Sequence, residues 1–217
     1  MKEKKVLDFY VTCNKLKNVI RTGWKDWNVK RNRVESVAEH IYGTQMLALA
    51  IYSEYQEEYK NLDIMKVIYM LAIHEIGEAT IGDLTQFQIS KMEKKRIEQE
   101  AVTKTLNGLL RGKEIEKYFI EFDEHSTEEG WFAHLCDKLE CDIQSKLYDE
   151  ENCVDLNDQK DSNTYNDERV QSIFKELGDC PYKWSKMWLK FGQSMYNYDK
   201  PFIEISNYAM ENEIKGE

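Results

Sequence analysis

Proline is scarce in this 217-residue chain, which contains only Pro181 and Pro201. Strict alternation of apolar and polar residues is scarce as well, whereas apolar residues at helical spacing are common. No apolar run approaches the length of a membrane-spanning helix, about 20 residues. The first residues lack the continuous apolar stretch and the small-residue cleavage site of a signal peptide. We therefore predict an all-α protein without membrane contact.

Cysteine is also sparse, and it forms no CxxC pair. The odd number of cysteines favours reduced thiols in a cytoplasmic protein over a disulfide framework. Acidic residues outnumber basic ones, 40 against 30, giving a net charge of −10. This balance argues against a nucleic-acid polymer as partner, because duplex binding needs a broad basic surface. A single nucleotide needs only a local basic pocket, so it stays compatible with the charge.

The apolar spacing predicts a series of helices. Asp63 is a candidate N-cap for the helix that leads to His74, and Ser126 with Glu129 is a candidate capping box. The run 93–100 reads as a solvated, charged helix face. The helices are expected at 6–20, 36–58, from 64 to 74, 91–110, 115–122, 127–149, 168–178, 181–198 and from 202 onward, with a polar loop at 155–168.

A small set of metal-type ligands stands out, because the chain holds only four histidines. His74 and Glu78 are four residues apart and share a helix face, and Glu75 is offset from His74 by about 100°. His40 lies at the edge of the buried face of its helix, and Asp137 lies on a face of small residues. Imidazole and carboxylate together suit a hard or borderline divalent metal with positions open for water. This set predicts metal-assisted hydrolysis.

The same residues allow less specific interpretations. A lone histidine on an apolar face is more often a hydrogen-bonded core residue than a ligand, and His125 and His134 are interpreted in that way. Glu75 can be simply solvated, and Asp137 can form a surface pair with Lys138. The aromatic cluster that includes Trp184 is typical of a core or a dimer contact.

Three segments resemble the HD-domain metal-dependent phosphohydrolases. They are ESVAEH at 35–40, HEIGEATIGDL at 74–84 and HLCDKLE at 134–140. Within that family the segments resemble the 5′-deoxynucleotidases, and the RTGW stretch at 21–24 also resembles the eukaryotic members of this subgroup. The resemblance covers residues 5–150, and the order and spacing of its motifs are specific.

The resemblance implies a single HD-domain helical bundle over residues 1–155 and a C-terminal helical extension, 156–217, packed on the same domain. It implies one divalent metal ion, Co, Mn or similar, with Zn, Mg and Fe as alternatives. The implied metal ligands are His40, His74, Glu75 and Asp137. The implied activity is release of phosphate from (deoxy)nucleoside 5′-monophosphates.

The remaining roles follow from the same resemblance. Glu78 corresponds to a glutamate that acts on the attacking water or the phosphate, and Asp83 to an aspartate near the leaving oxygen and the sugar. Arg33 corresponds to an arginine at the mouth of the active site. Arg21 and Trp24 correspond to a segment that contacts phosphate and excludes a ribose 2′-hydroxyl.

Two points leave alternatives open. Two extra residues lie between RTGW and ESVAEH, so Lys25 or Trp27 can take a role in substrate contact. Glu75 stands where the family has aspartate, and its extra methylene moves the carboxylate by one C–C bond. The alternatives are a hydrolase of another nucleotide, such as a triphosphate or a signalling nucleotide, and an inert metal-binding or interaction module. The family resemblance also implies a small-molecule nucleotide as partner and a homodimer.

Overall fold

The computed structural model describes residues 1–85 and 89–216. These residues form helices and turns without a β-sheet, which confirms the prediction of an all-α fold. The helices are α1 (Lys2–Asn14), α2 (Thr22–Asp26), α3 (Val37–Glu54), α4 (Ile64–Ile73), α5 (Glu78–Ile81), α6 (Lys91–Leu106), α7 (Gly112–Asp123), α8 (Glu128–Glu150), α9 (Glu168–Leu177), α10 (Lys183–Tyr196) and α11 (Lys200–Glu211), with 3₁₀ turns at Lys15–Asn18 and Leu156–Asp158.

The chain divides into two compact units, and neither is one continuous stretch of sequence. Unit 1 contains Met1–Thr22 and Glu35–His134, and unit 2 contains Gly23–Val34 and Leu135–Glu217. The domain boundary predicted at residue 155 stays a prediction. Over the described residues, no helix has the length and apolar character required to cross a membrane.

In unit 1, side-chain caps define where the central helices begin. Ser36 and Glu39 form a reciprocal capping box at the start of α3, and Asp63 accepts a hydrogen bond from the backbone N–H of Lys66 at the start of α4. Such caps satisfy N–H groups that have no partner inside the helix. The Asp63 cap confirms the sequence prediction.

An isolated backbone bridge fixes the segment before α2 against the start of α3. The N–H of Val37 donates to the carbonyl of Val19 at 2.8 Å, and the N–H of Arg21 donates to the carbonyl of Glu35 at 3.1 Å. These bonds place Arg21 close to the first turn of α3. The sequence signal for this short extended segment was too weak to predict it.

Helices α4, α6 and α7 enclose an apolar cluster in unit 1 that includes Ile73, Val102 and Phe119. A close approach at Gly77 fixes the packing of α6. A Cβ added at Gly77 would lie 3.2 Å from both the carbonyl oxygen of Glu98 and Cγ2 of Val102. A larger residue would therefore push α6 outward.

Unit 1 contains one exposed apolar face and one local prediction that needs correction. Val6 and Tyr10 share a face of α1, yet they are 61% and 59% exposed. The predicted capping box at Ser126 is wrong, because α8 begins at Glu128. The hydroxyl of Thr127 accepts the N–H of Gly130 at 3.1 Å and supplies the cap instead.

Unit 2 is built around aromatic side chains. Trp24 packs edge-on against Tyr148, with ring centroids 5.4 Å apart, and Trp27 packs against Trp184 at 5.8 Å. Trp184 and Met187 are almost fully buried in this cluster. They belong to the core, as one of the two sequence interpretations predicted.

Unit 2 also buries a carboxyl group. Asp142 is 3% exposed and accepts a hydrogen bond of 2.6 Å from the hydroxyl of Tyr196. Its carboxylate lies against Gly192, where an added Cβ would fall 1.9 Å from Oδ2. Burial raises the pKa of Asp142 well above its ordinary value.

Candidate metal centre and active site

The buried imidazoles of His40 and His74 meet in unit 1. His40 lies on the first turn of α3 and is fully buried, and His74 follows the last residue of α4 and is 5% exposed. Their Nε2 atoms are 3.4 Å apart. Nδ1 of His74 lies 2.7 Å from the carbonyl oxygen of Leu71, an acceptor, so it carries the ring hydrogen. Nε2 of His74 is then left as the ligating atom.

Glu75 lies beside this pair. Its Oε1 is 3.8 Å from Nε2 of His74 and 3.3 Å from Nη1 of Arg21. Both side chains of the Glu75–Arg21 pair are largely buried, 15% and 14% exposed. Glu75 is therefore not a solvated surface residue, and Arg21 lies within ion-pair distance of it.

The three potential ligands fit one divalent ion. One ligand atom each from His40, His74 and Glu75 lies within 4.8 Å of the others. Two nitrogens bound at about 2.1 Å to one ion with a tetrahedral angle are separated by about 3.4 Å, which matches the observed Nε2–Nε2 distance. Phe122 packs on the ring of His74 with centroids 5.1 Å apart and shields it from solvent.

Glu78 is the most unusual carboxyl group of this region. It is 2% exposed, and neither of its side-chain oxygens has a hydrogen-bond partner among the described residues. Burial first, then the negative charges of Glu75 and Asp83, raise the pKa of Glu78 well above its ordinary value. Arg21 and Lys94 act in the opposite direction. A buried carboxyl group without partners is a candidate proton acceptor for a molecule that enters the site.

Asp83 follows α5 and is fixed by Thr22. Its Oδ2 accepts the backbone N–H of Thr22 at 2.6 Å, and its carbonyl accepts the Thr22 hydroxyl at 2.7 Å. These bonds connect Asp83 to the residue next to Arg21. The two predicted functional residues, Arg21 and Asp83, are therefore brought together in unit 1.

Three predicted residues lie in unit 2. Asp137 is 6% exposed, and Nζ of Lys138 lies 2.8 Å from its Oδ2. Arg33 is exposed. Trp24 is 1% exposed and packs against Tyr148, Trp184 and Trp188. This placement gives Trp24 a packing role and does not support its predicted contact with substrate.

The sequence prediction missed Lys94 and Glu98. Both belong to the run 93–100 that was interpreted as a solvated face, yet their side chains are only 31% and 20% exposed and are 3.3 Å apart. Burial lowers the pKa of Lys94, but the combined negative charges of Glu98, Glu75, Glu78 and Asp83 outweigh this effect and raise the pKa above its ordinary value. The sequence feature that could have identified these two residues is their i,i+4 spacing, close to Ala101, which is buried.

Comparison with known proteins gives a consistent result. The family model described as "HD domain" matches residues 13–177. The chain is 34% identical over 151 residues to "5'-deoxynucleotidase HDDC2" of Dictyostelium discoideum, covering 67% of this chain and 78% of that protein. It is 31% identical over 151 residues to the human protein of the same name, covering 68% and 70%.

Solved structures share the architecture. A conserved hypothetical protein from Pyrococcus furiosus has a TM-score of 0.57 at 25% identity and covers 88% of this chain and 99% of its own. A predicted metal-dependent phosphohydrolase from Magnetospirillum magnetotacticum has a TM-score of 0.54 at 20% identity and covers 96% and 94%. The second similarity shows the fold alone.

Proposed function

Because the chain belongs to the HD-domain family, we propose that it is a metal-dependent phosphomonoesterase that releases phosphate from (deoxy)nucleoside 5′-monophosphates. The observation that carries the proposal is the buried pair of imidazoles, with Nε2 atoms 3.4 Å apart and Glu75 beside them. The relatives named 5'-deoxynucleotidase support the choice of substrate.

The proposed ligand set is His40, His74, Glu75 and Asp137. Asp137 enters this set through the family resemblance and its burial. A divalent ion held there supplies Lewis-acid polarisation of a phosphoryl oxygen and makes a water molecule more acidic. Among candidate ions, Co and Mn accept mixed nitrogen and oxygen ligands with positions open for water.

The chain's own residues supply the remaining chemistry. Glu78 orients the attacking water and accepts its proton, because its oxygens are buried without a competing partner. Arg21 neutralises charge on the phosphoryl oxygens with its planar set of N–H donors. Asp83, fixed by Thr22, assists the departing 5′-oxygen or positions the sugar.

Two residues of the predicted set stay proposals that rest on the family resemblance. Arg33 is exposed, which suits a residue at the mouth of a site. Trp24 contacts substrate only if its ring, buried in this structure, becomes accessible. A homodimer and a cytoplasmic location are further proposals. Light scattering on the protein as it elutes from a size-exclusion column tests the first, and fractionation of the source cells tests the second.

The test uses chelator-treated protein to which Co or Mn is returned. Phosphate release is measured from dAMP, dCMP, dGMP and dTMP, from the ribonucleotides, and from triphosphates. The proposal expects metal-dependent release from 5′-monophosphates that His74→Ala abolishes. Absence of release from all monophosphates would refute the substrate assignment, and full activity of His74→Ala would refute the site.

One observation favours a second candidate, an impaired metal-binding module. The carboxylate at position 75 has the longer side chain and already pairs with Arg21. Glu75→Asp separates the two candidates. A gain of activity identifies an impaired site, and a loss identifies a site adjusted to glutamate.

A further inference from the structure

The candidate site in unit 1 holds more acidic than basic side chains. Two cations act on four carboxyl groups there, before any ion or substrate binds. A phosphate dianion that enters so acidic a site needs every cation that can reach it. The cations are Arg21 and Lys94, and the carboxylates are Glu75, Glu78, Asp83 and Glu98.

The fold holds Lys94 in place through the helix that carries it. Gly77 lets α6 approach closely, with the carbonyl oxygen of Glu98 only 3.2 Å from the position of a Cβ at Gly77. Lys94 lies one turn earlier on α6, on the same side as Glu98. The packing at Gly77 therefore fixes the backbone of Lys94 on α6, the helix next to α5. Glu78 is the first residue of α5.

Lys94 has more N–H donors than ion-pair partners among the described residues. An ammonium group carries three N–H donors, and Glu98 is its one ion-pair partner within 4.0 Å among residues 1–85 and 89–216. Its side chain is 31% exposed, so an entering anion can reach it. The charges of Glu75, Glu78 and Asp83 also act on Lys94, although none of them forms an ion pair with it.

We propose that Lys94 binds an oxygen of the phosphoryl group, as a second cation beside Arg21. The inference rests on the proposed function and adds a phosphate-binding residue to it. Arg21 shares its guanidinium with Glu75, which is 3.3 Å away. Lys94 contributes a mobile point charge that moves from Glu98 to the phosphoryl oxygen as substrate enters.

The test compares Lys94→Met and Lys94→Arg with a matched control on the same helix. Lys95→Met removes the neighbouring lysine, which pairs at 2.8 Å with Asp123, a residue outside the candidate site. Loss of one hydrogen bond between charged groups weakens binding about tenfold to a hundredfold. Lys94→Met should therefore raise the inhibition constant of inorganic phosphate and the KM for dAMP by at least about tenfold. Lys94→Arg should recover most of both, and Lys95→Met should change neither.

A second readout separates this inference from the proposed function. Binding of inorganic phosphate to the Mn-loaded protein is measured by calorimetry, without any turnover. Weaker binding in Lys94→Met supports the inference even if the wild-type protein hydrolyses no nucleotide. Equal binding in the wild-type protein and Lys94→Met, or no binding of phosphate to the wild-type protein, overturns it.

Mass spectrometry of the wild-type protein keeps the test valid if Lys94→Met does not fold. Limited acetylation with acetic anhydride reports the accessibility of each lysine. Inorganic phosphate should protect Lys94 from acetylation and leave Lys95 unaffected. Equal acetylation of Lys94 with and without phosphate would contradict the assignment.

Discussion

Replacing Glu78 by glutamine should strongly reduce activity and at the same time stabilise the metal-free protein. Glu78 is 2% exposed, and its carboxyl oxygens have no hydrogen-bond partner among the described residues. Glutamine at this position is polar and of the same size but carries no charge, so the two proteins differ in the cost of ionising a buried carboxyl group. Each unit by which a pKa is displaced corresponds to about 1.4 kcal/mol. We therefore expect the free energy of unfolding of Glu78→Gln to exceed that of the wild-type protein by about 1–3 kcal/mol at pH 8.

The pH dependence fixes the sign of this effect. The pKa of Glu78 is raised on folding, so the folded state binds this proton more tightly than the unfolded state does. Its contribution to stability is complete below the unfolded pKa, near 4.5, and is lost as the pH rises through the raised value in the folded protein. The advantage of Glu78→Gln should therefore be small near pH 4.5 and grow toward pH 8.

Urea unfolding in the presence of a chelator, at half-unit steps between pH 4.5 and 8.5, measures this difference. Glu93→Gln is the matched control on α6. Its hydrogen bonds with Arg96 lower the pKa of Glu93, so that variant should lose a little stability toward pH 8. A stability gain of Glu78→Gln that is independent of pH, or a loss at pH 8, would refute the reasoning. With metal restored, the same substitution should reduce the rate of phosphate release by about 10²–10⁴-fold, the usual contribution of a general base.

Further predictions concern the core of unit 2 and the metal. Asp142→Asn should stabilise the protein at pH 8 and lose that advantage toward pH 4 in the same unfolding assay, because burial raises the pKa of Asp142. Gly192→Ala should destabilise by about 3 kcal/mol in urea unfolding, since its Cβ would fall 1.9 Å from Oδ2 of Asp142, whereas Gly23→Ala, whose nearest contact is 4.0 Å away, should have little effect. Mn at a hundredfold excess over its Kd should stabilise the wild-type protein by about 2.7 kcal/mol in a thermal melt and leave His74→Ala unchanged.

The fold class and most helices could be predicted from the sequence because apolar residues recur at helical spacing. The cap at Asp63 could also be predicted, because the side chain acts within its own turn. At α1 the same pattern correctly predicts a helix, but Val6 and Tyr10 on its apolar face are exposed. Periodicity shows which residues share a face, but it does not show whether another element covers that face.

The candidate site also contains residues that the sequence could predict and one that it could not. His40, His74, Glu75 and Arg21 could be assigned from motif order, and the structure brings these residues of unit 1 together. Lys94 could not be assigned in this way, because its proposed role depends on the close approach of α6 to Gly77. That approach is a contact between residues that are distant from one another in the sequence. Charged runs look alike in sequence whether their members face solvent or a neighbouring carboxylate.

The discontinuous construction of unit 2 has a consequence for synthesis on the ribosome. Residues 23–34 emerge early, but Trp24 and Trp27 pack against Tyr148 and Trp184, which are made much later. At about 5–20 residues per second, the two indoles spend several seconds without their final neighbours. Chaperones are therefore expected to protect the nascent chain during that interval. Fragments that end before α10 are expected to aggregate.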